Sequence, residues 1–436
     1  MTAYEGPTAP AIADLDELEE LVRSAGGDVV DRVAQRRRDG GPLLGEGKLR
    51  EVAMLAASAG AGVVVTQQSL SPGEQRRLDE GIPCRVVDRT ALILDIFAQR
   101  ARSREGQLQV ELAQLLYRLP RLRGEGVLMS RLGGRAGGHA AAQAGGGPGG
   151  GAAGGGGIGG RGAGGVGAGG IGARGPGEQK LEYDRRRIRE RMSRVKREIE
   201  NLRTRRASQR ERRHDRSWPL VALAGYTNAG KSTLFNALTR SAAVAQRRMF
   251  STLDPQVRQM RMPGGGRSLL TDTVGFIRDL PGTLRVAFRA TLEEIGEADA
   301  VLHVVDTSHP DAARQAATVL AELETLGVAP GAIVTVLNKI DKLEDGGATA
   351  RLAIAVASPS LPASALTGEG LPRVAEAVED ILRARFWRHL AWTDPGPRLR
   401  ARLAALGAST RETGALVEAW VAAAHASRLE GGEGGG

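Results

Sequence analysis

The chain has 436 residues, enough for roughly two to four domains with their own cores, and a net charge of +10. It contains no apolar run of about 18 residues, and its acidic first 20 residues lack a signal-peptide core, so a cytoplasmic protein with no membrane span is expected. One cysteine, Cys84, excludes an internal disulfide, and six scattered histidines argue against a zinc site.

Alternating helix and strand signals predict a small α/β domain with a largely parallel sheet over residues 1–104. Strands are predicted over residues 28–35, 62–66 and 84–88, and helices over residues 14–24, 48–59 and 92–102. Ser71 and Glu74 form a capping-box pattern that begins a further helix. The short stretch Gly45-Glu46-Gly47-Lys48 is interpreted as a tight turn before a helix.

Two apolar stripes predict a long antiparallel helical hairpin over residues 105–216. The first consists of Leu108, Leu112, Leu115, Leu116 and Leu119, and the second, at heptad spacing, of Leu181, Ile188, Met192, Val195, Ile199 and Leu202. Between them, residues 133–177 contain 25 glycines in 45 positions and are predicted to be disordered. This tract is either a passive linker or, through Arg135, Arg161 and Arg174, a segment that inserts into RNA.

The positive charge is concentrated in the second arm of this hairpin. Residues 180–216 contain 16 Lys or Arg and 7 Asp or Glu, a balance of 16 − 7 = +9. Such a local excess predicts a polyanionic partner more strongly than a uniformly basic surface would.

Residues 217–386 have the pattern of a doubly wound nucleotide-binding domain, with strands predicted over 220–224, 268–272, 300–305, 332–337 and 361–363. The first strand leads into G-x-x-x-x-G-K-[ST], and apolar residues at helical spacing follow. In this context backbone amides point at phosphate oxygens, Lys231 contacts the β- and γ-phosphates, and Ser232 ligates Mg²⁺. The predicted nucleotide-binding residues of this phosphate loop are Gly225, Tyr226, Thr227, Asn228, Ala229, Gly230, Lys231, Ser232 and Thr233.

Asn338-Lys339-Ile340-Asp341, directly after an apolar strand, predicts GTP rather than ATP. One carboxylate, that of Asp341, can accept both the N1–H and the N2 amine of guanine, and adenine offers no such pair of donors. Asn338 is expected to tie this loop to the phosphate loop. The predicted guanine-binding residues are Asn338, Lys339, Ile340, Asp341, Ser364, Ala365 and Leu366.

Two further segments are predicted to respond to the γ-phosphate. Asp272 would hold a magnesium-bound water, the Gly275 amide would contact the γ-phosphate, and Thr252 would close over the metal. Lys231, Thr252 and Gly275 are therefore the predicted catalytic residues, and Ser232 and Thr252 the metal ligands. The nucleotide-binding residues predicted in these segments are Phe250, Ser251, Thr252, Leu253, Asp254, Asp272, Thr273, Val274 and Gly275.

Phe276 follows Gly275, at a position where many such GTPases carry a glutamine that orients the attacking water. Phenylalanine cannot hydrogen-bond a water molecule. Slow intrinsic hydrolysis and a need for a stimulating partner are therefore expected.

Taken together, these segments resemble the HflX family of bacterial P-loop GTPases. The likeness covers residues 14–123 and 174–386, including Leu70-Ser71-Pro72, residues 87–101 and 108–115, and Gly175-Pro176-Gly177-Glu178 besides the GTPase motifs. It implies a GTPase that binds the large ribosomal subunit and its rRNA, splits or rescues stalled ribosomes, and is stimulated by the ribosome. The family's N-terminal domain has also been linked to ATP binding. The glycine tract is much longer than the corresponding loop of the family.

The favoured interpretation is a ribosome-associated, Mg²⁺-dependent GTPase that binds GTP and GDP as a monomer. One alternative is an RNA chaperone whose GTPase acts as a slow switch for assembly, and another is an ATP-driven RNA remodeller that uses the N-terminal domain. Residues 387–436 are interpreted as a small α/β appendix, with a helix over 399–406, a strand over 415–420 and a disordered tail.

Overall fold

The computed structural model describes residues 1–4, 8–36, 42–135, 176–214, 218–240, 249–250, 252–278, 281–343 and 359–430. Most of the glycine tract, including Arg161 and Arg174, and the C-terminal tail lie outside these residues. The protein is a mixed α/β chain whose largest sheet is mainly parallel, as predicted. Among the described helices, none has the length and apolar character needed to span a membrane.

The first hundred residues alternate helices with short parallel strands. The elements are β1 (Thr2–Tyr4), α1 (Thr8–Ser24), β2 (Ala34–Arg36), α2 (Glu46–Ser58), β3 (Val63–Thr66), α3 (Pro72–Gly81), β4 (Arg85–Asp88) and α4 (Arg89–Arg100). Strand β1 pairs with β2 and β3 pairs with β4, both in parallel. The Met1 amine donates to the Val65 carbonyl at 2.8 Å, which links the two pairs.

Three local predictions in this region have clear outcomes. The strand over residues 28–35 is wrong for most of its length, because β1 offers only three residues for pairing and only Ala34–Arg36 finds partners. The capping box is confirmed: Ser71 Oγ accepts from the Glu74 amide at 3.3 Å, and Glu74 accepts from the Ser71 amide at 3.0 Å. Gly45 directly precedes α2, as expected for a turn before a helix.

The antiparallel hairpin is also confirmed, with arms α5 (Arg104–Arg135) and α6 (Pro176–His214). Arg104 pairs with Glu198 at 2.6 Å, and Glu111 pairs with Arg191 at 2.5 Å. Residue numbers therefore increase along α5 while those of the facing residues in α6 decrease, which shows that the arms are antiparallel. The two stripes pack as a separate apolar cluster around Leu108, Leu112, Met192 and Val195.

The large sheet has six strands, in the order β10 (Ser360–Pro362), β9 (Ile333–Asn338), β8 (Ala300–Asp306), β5 (Leu220–Gly225), β7 (Arg267–Asp272) and β6 (Gln256–Arg261). All neighbours are parallel except β6 and β7. Strand β6 was not predicted because its sequence, QVRQMR, has no apolar run, which suits its place at the sheet edge. The helices described among these strands are α7 (Lys231–Thr239), α8 (Gly282–Ala287), α9 (Arg289–Gly296), α10 (Ala312–Thr325) and α11 (Leu371–Arg385).

The C-terminal appendix is a three-stranded antiparallel sheet with two helices. The strand over residues 416–422 matches all but the first residue of the predicted strand, and the helix over residues 397–406 includes the predicted helix. The strands over residues 387–393 and 409–413 were not predicted. The elements are β11 (Trp387–Thr393), α12 (Pro397–Leu406), β12 (Ser409–Thr413), β13 (Leu416–Ala422) and α13 (Ala423–Glu430).

Candidate active site

The phosphate loop runs from the carboxyl end of β5 to the first turn of α7. At Gly225, a Cβ atom would collide with the Val304 carbonyl of β8. At Gly230, whose φ is +95°, it would collide with the Asn338 amide. Both positions therefore require glycine, because the loop passes directly against the neighbouring strand and loop.

Lys231 is buried beneath this loop. Its Nζ donates to the Gly225 carbonyl at 3.1 Å and to the Tyr226 carbonyl at 2.8 Å. Burial lowers the pKa of the ammonium to about 8, while nearby Asp272 acts in the opposite direction. A Cβ atom at Gly275 would lie 2.9 Å from Nζ, so the glycine leaves open the space in front of the charge.

Three oxygen-bearing side chains converge beside Lys231. Asp272 Oδ2 accepts from Ser232 Oγ and from Thr252 Oγ1, each at 2.7 Å, and the two hydroxyls are 3.0 Å apart. The other carboxylate oxygen, Oδ1, is buried without a hydrogen-bond partner. Burial raises the pKa of Asp272, although Lys231 and the two hydroxyls counteract this shift. A compact set of hydroxyl and carboxylate oxygens with an unsatisfied buried oxygen suits Mg²⁺.

The predicted guanine-binding loops meet at the opposite end of the cleft. Asn338 is buried, donates from Nδ2 to the Ala229 carbonyl at 2.8 Å, and accepts from the Ala365 amide at 3.0 Å. The predicted tie between this loop and the phosphate loop is therefore present. Ser364 Oγ donates to Asp341 at 2.5 Å, which orients the carboxylate. Leu366 is 70% exposed at the rim.

Lys339 joins the same two loops from outside. Its Nζ donates to the Asn228 carbonyl at 2.8 Å and pairs with Asp306 at 2.6 Å. Its backbone is left-handed, with φ at +67°. Asp306, at the end of β8, was not predicted, because no motif marks the last residue of that strand.

Residues from all of these segments line one cleft of about 210 Å³. Lys342 also lines it and was not predicted, because the sequence motif ends at Asp341. Ser251 lies outside the described residues. The predicted residues on the lining are Thr227, Asn228, Gly230, Lys231, Ser232, Thr233, Phe250, Thr252, Thr273, Gly275, Asn338, Lys339, Asp341, Ala365 and Leu366. Asp254, predicted to bind nucleotide, is not on this lining and instead accepts from the Arg102 and Ser103 amides. The other predicted residues that do not line the cleft are Gly225, Tyr226, Ala229, Leu253, Asp272, Val274, Ile340 and Ser364.

Helix α1 contacts the phosphate loop, which the sequence did not indicate. Tyr226 donates its hydroxyl hydrogen to Glu17 at 2.6 Å and accepts from the Arg278 amide at 2.8 Å. Arg89 pairs with Glu17 at 2.6 Å and donates to the Arg278 carbonyl at 2.7 Å. Asn228 donates to Glu20 at 3.2 Å. The N-terminal region thus holds both the phosphate loop and the segment after Gly275.

A doubly wound sheet with this phosphate loop, the Asn338–Asp341 loop and the Asp272–Gly275 segment defines a P-loop GTPase. Family models match residues 13–98 (GTP-binding GTPase N-terminal), 100–213 (GTP-binding GTPase Middle Region) and 220–339 (50S ribosome-binding GTPase). The GTPase HflX of Lacrimispora saccharolytica is 42% identical over 380 residues, which cover 87% of this chain and 81% of the relative. The chain belongs to the HflX family of GTPases and is a GTP hydrolase.

A second relative supports this family assignment. The GTPase HflX of Escherichia coli K12 is 38% identical over 402 residues, 92% of this chain and 86% of the relative. Among solved structures, a GTP-binding protein from Sulfolobus solfataricus in complex with GDP covers 87% of this chain and 98% of its own, at 21% identity and a TM-score of 0.43.

Proposed function

We propose that the protein hydrolyses GTP with Mg²⁺ held by Ser232 and Thr252, and that Asp272 orients a metal-bound water. The support is the convergence of these three side chains and the unpartnered Oδ1 of Asp272. Ser232 and Thr252 would hold the metal, which when bound would supply positive charge that stabilises the negative charge developing on the phosphates. Lys231 would exchange its carbonyl partners for phosphate oxygens, and the Gly275 amide would contact the γ-phosphate.

Guanine selectivity is assigned to Asp341 and its neighbours. The support is that Ser364 donates to the Asp341 carboxylate and that the Ala365 amide, which donates to Asn338, lines the same cleft. The carboxylate would accept two hydrogen bonds from guanine, which adenine cannot supply. The proposed pocket comprises the residues predicted from sequence together with Lys342.

Slow intrinsic hydrolysis is part of the proposal. The Phe276 side chain is buried in an apolar cluster, and its backbone pairs with Gly225 and Thr227 at 3.0 and 2.7 Å. It therefore presents no polar group to an attacking water. A partner that supplies or orders such a group would accelerate turnover.

We infer that this partner is the large ribosomal subunit, bound through its rRNA, and that the protein splits or rescues stalled ribosomes in the cytoplasm as a monomer. The observation that carries this is the unneutralised charge of α6. Some of its arginines pair with acids of the same helix, for example Arg186 with Glu190 at 2.9 Å. Others are exposed and form no ion pair with a described acid: Arg187, Arg194, Lys196 and Arg205.

Sedimentation of intact ribosomes tests this function. With a non-hydrolysable GTP analogue and Mg²⁺, the protein is expected to comigrate with the large subunit and to reduce the 70S peak in a sucrose gradient. Lys231→Ala is the matched control, because it retains the basic hairpin and removes the phosphate contact. An unchanged 70S peak with no comigration would contradict the ribosomal role, and the protein would then be a slow GTPase switch of another kind.

A further inference from the structure

The side chain of Asp254 points away from the nucleotide cleft and contacts the root of the hairpin. Its Oδ2 accepts from the Arg102 amide at 2.9 Å and from the Ser103 amide at 2.7 Å. Its Oδ1 accepts from the Ser103 hydroxyl. Asp254 thus binds the two residues that directly precede α5, and it lies 151 positions from Ser103 in sequence.

The same chain shows what is unusual about this helix start. At α3, Ser71 caps the helix and Glu74, three residues later, accepts from the Ser71 amide. At α5, Ser103 Oγ accepts from the Gly106 amide at 2.9 Å. Glycine has no side-chain carboxylate, so Gly106 cannot accept the reciprocal hydrogen bond from the Ser103 amide. Asp254 provides that acceptor, so the capping box of α5 is completed by a residue that is distant in the sequence of the same chain.

Gly106 also makes room for this contact. A Cβ atom there would overlap Asp254 Oδ1, whereas one at Gly47 in the first turn of α2 would meet nothing within 4 Å. Glycine in a helix costs about 0.5–1 kcal/mol relative to alanine. Gly106 therefore weakens the helix slightly, but it leaves the space that the Asp254 carboxylate occupies.

Asp254, which completes the cap, lies two positions after Thr252. Between them, Leu253 is buried in the apolar cluster that includes α4 and α5 residues, and Phe250 on the other side packs edge-on against Phe97 at 4.6 Å. The segment is thus fixed on both sides of Thr252. With the segment held in this way, the Thr252 hydroxyl lies within hydrogen-bonding distance of Ser232 and Asp272.

We propose that Asp254 is a positioning residue for GTP hydrolysis: by completing the cap of α5, it holds Thr252 at the site of Ser232 and Asp272. Thr252 and the residues at the start of α5 then become ordered together. This inference rests on the proposed role of Thr252 as a metal ligand and adds a residue that touches neither nucleotide nor metal.

Two substitutions break the contact from opposite sides. Asp254→Ala removes the acceptor, and Gly106→Ala displaces it while leaving residues 249–254 unchanged. Each is expected to lower kcat for GTP about fivefold, the factor that corresponds to a helix cap of typical strength, with KM changed less than about twofold. Asp254→Asn, which retains one acceptor oxygen, is expected to fall between Asp254→Ala and the wild type. Gly47→Ala is the matched control and should retain wild-type kcat.

Hydrogen exchange gives a readout that does not depend on activity. In the wild type, a non-hydrolysable GTP analogue with Mg²⁺ should slow exchange of the Arg102 and Ser103 amides, and Thr252→Ala should remove this effect. Gly106→Ala should also remove it, although alanine favours the helix. Wild-type kcat and analogue-dependent protection in Gly106→Ala would overturn the inference. If Thr252→Ala itself retained wild-type kcat, the proposed role of Thr252 would fail instead.

Discussion

The hydroxyl of Tyr226, inside the phosphate loop, lies 2.6 Å from the carboxylate of Glu17 in α1. Burial, followed by the nearby Glu17 charge, raises the pKa of Tyr226, so the hydroxyl remains a donor at neutral pH. Because the same oxygen accepts from the Arg278 amide, one side chain connects the N-terminal region, the phosphate loop and the segment after Gly275.

Tyr226→Phe is expected to lower the free energy of unfolding by about 1–3 kcal/mol, because the partly buried Arg278 amide and one Glu17 oxygen lose the Tyr226 hydroxyl as a partner. Urea denaturation followed by circular dichroism measures this change. Tyr183→Phe is the control, since Tyr183 is 64% exposed. Equal losses in the two variants would show that the Tyr226 contacts contribute nothing specific.

Lys231→Ala should weaken GTP binding at least tenfold, because a charge-assisted contact with the phosphates contributes about 1.5–3 kcal/mol. Calorimetric titration with GTP and Mg²⁺ provides the measurement. Lys48→Ala serves as the control, since Lys48 also follows a glycine but pairs with Glu51 at 2.6 Å on α2. Unaltered affinity in Lys231→Ala would place the phosphates elsewhere.

Asp341→Asn should shift preference from GTP toward XTP. The amide can donate to the additional carbonyl of xanthine, whereas it cannot accept both guanine donors. Competition between the two nucleotides for the variant measures the change, with the wild type as reference. A variant that still prefers GTP would refute the assignment of the base pocket.

Because His303 in β8 is buried, we expect the free energy of unfolding to decrease in mild acid. Burial lowers the pKa of its imidazole to about 4, whereas the unfolded chain has the ordinary value of about 6.5. Between these values the unfolded state binds the extra proton, so the free energy of unfolding should fall by up to about 3 kcal/mol as pH decreases from 6.5 to 4.

Urea titrations at several pH values measure this slope. His303→Gln should make it shallower, and His309→Gln, which changes an exposed imidazole, should not. If both variants keep the wild-type slope, other groups govern acid stability.

Reversing Arg205, Arg206, Arg212 and Arg213 to Glu should abolish stimulation of GTP turnover by large subunits without changing nucleotide affinity. Binding to RNA phosphates releases counterions, so the stimulation in the wild type should also fall steeply with salt. Turnover at two salt concentrations, with and without subunits, tests both statements. The control variant carries the same change of charge outside the hairpin. In it, four exposed arginines are replaced by Glu: Arg50, Arg85, Arg373 and Arg388. Stimulation that survives the hairpin reversal would exclude α6 as the contact.

The parts of the site that could be predicted from sequence are those whose geometry is local. Gly225–Ser232 and Asn338–Asp341 each carry their strand, turn and side-chain chemistry within a few residues. Even the contact of Asn338 with Ala229, 109 positions away, followed from the fixed relation of these loops in a doubly wound sheet.

The parts that could not be predicted depend on contacts between distant segments. Nothing near Glu17 or Ser103 in sequence indicates that they meet Tyr226 and Asp254. Strand β6 was missed for a related reason, because an edge strand with one covered face lacks the apolar run that identifies central strands. Strand β2 was overextended because Val29 and Val30 have strand propensity but no neighbouring strand to pair with.

The register of the hairpin is set near its root by Arg104 with Glu198 and Glu111 with Arg191. The heptad packing of the arms adds to this, so the alignment of α5 against α6 does not depend on the residues that join their far ends. Evolution can therefore lengthen the glycine tract between the arms without a compensating change at Asp254 or Thr252. The reach of the tip and the chemistry of the nucleotide cleft are free to diverge at separate rates among members of the family.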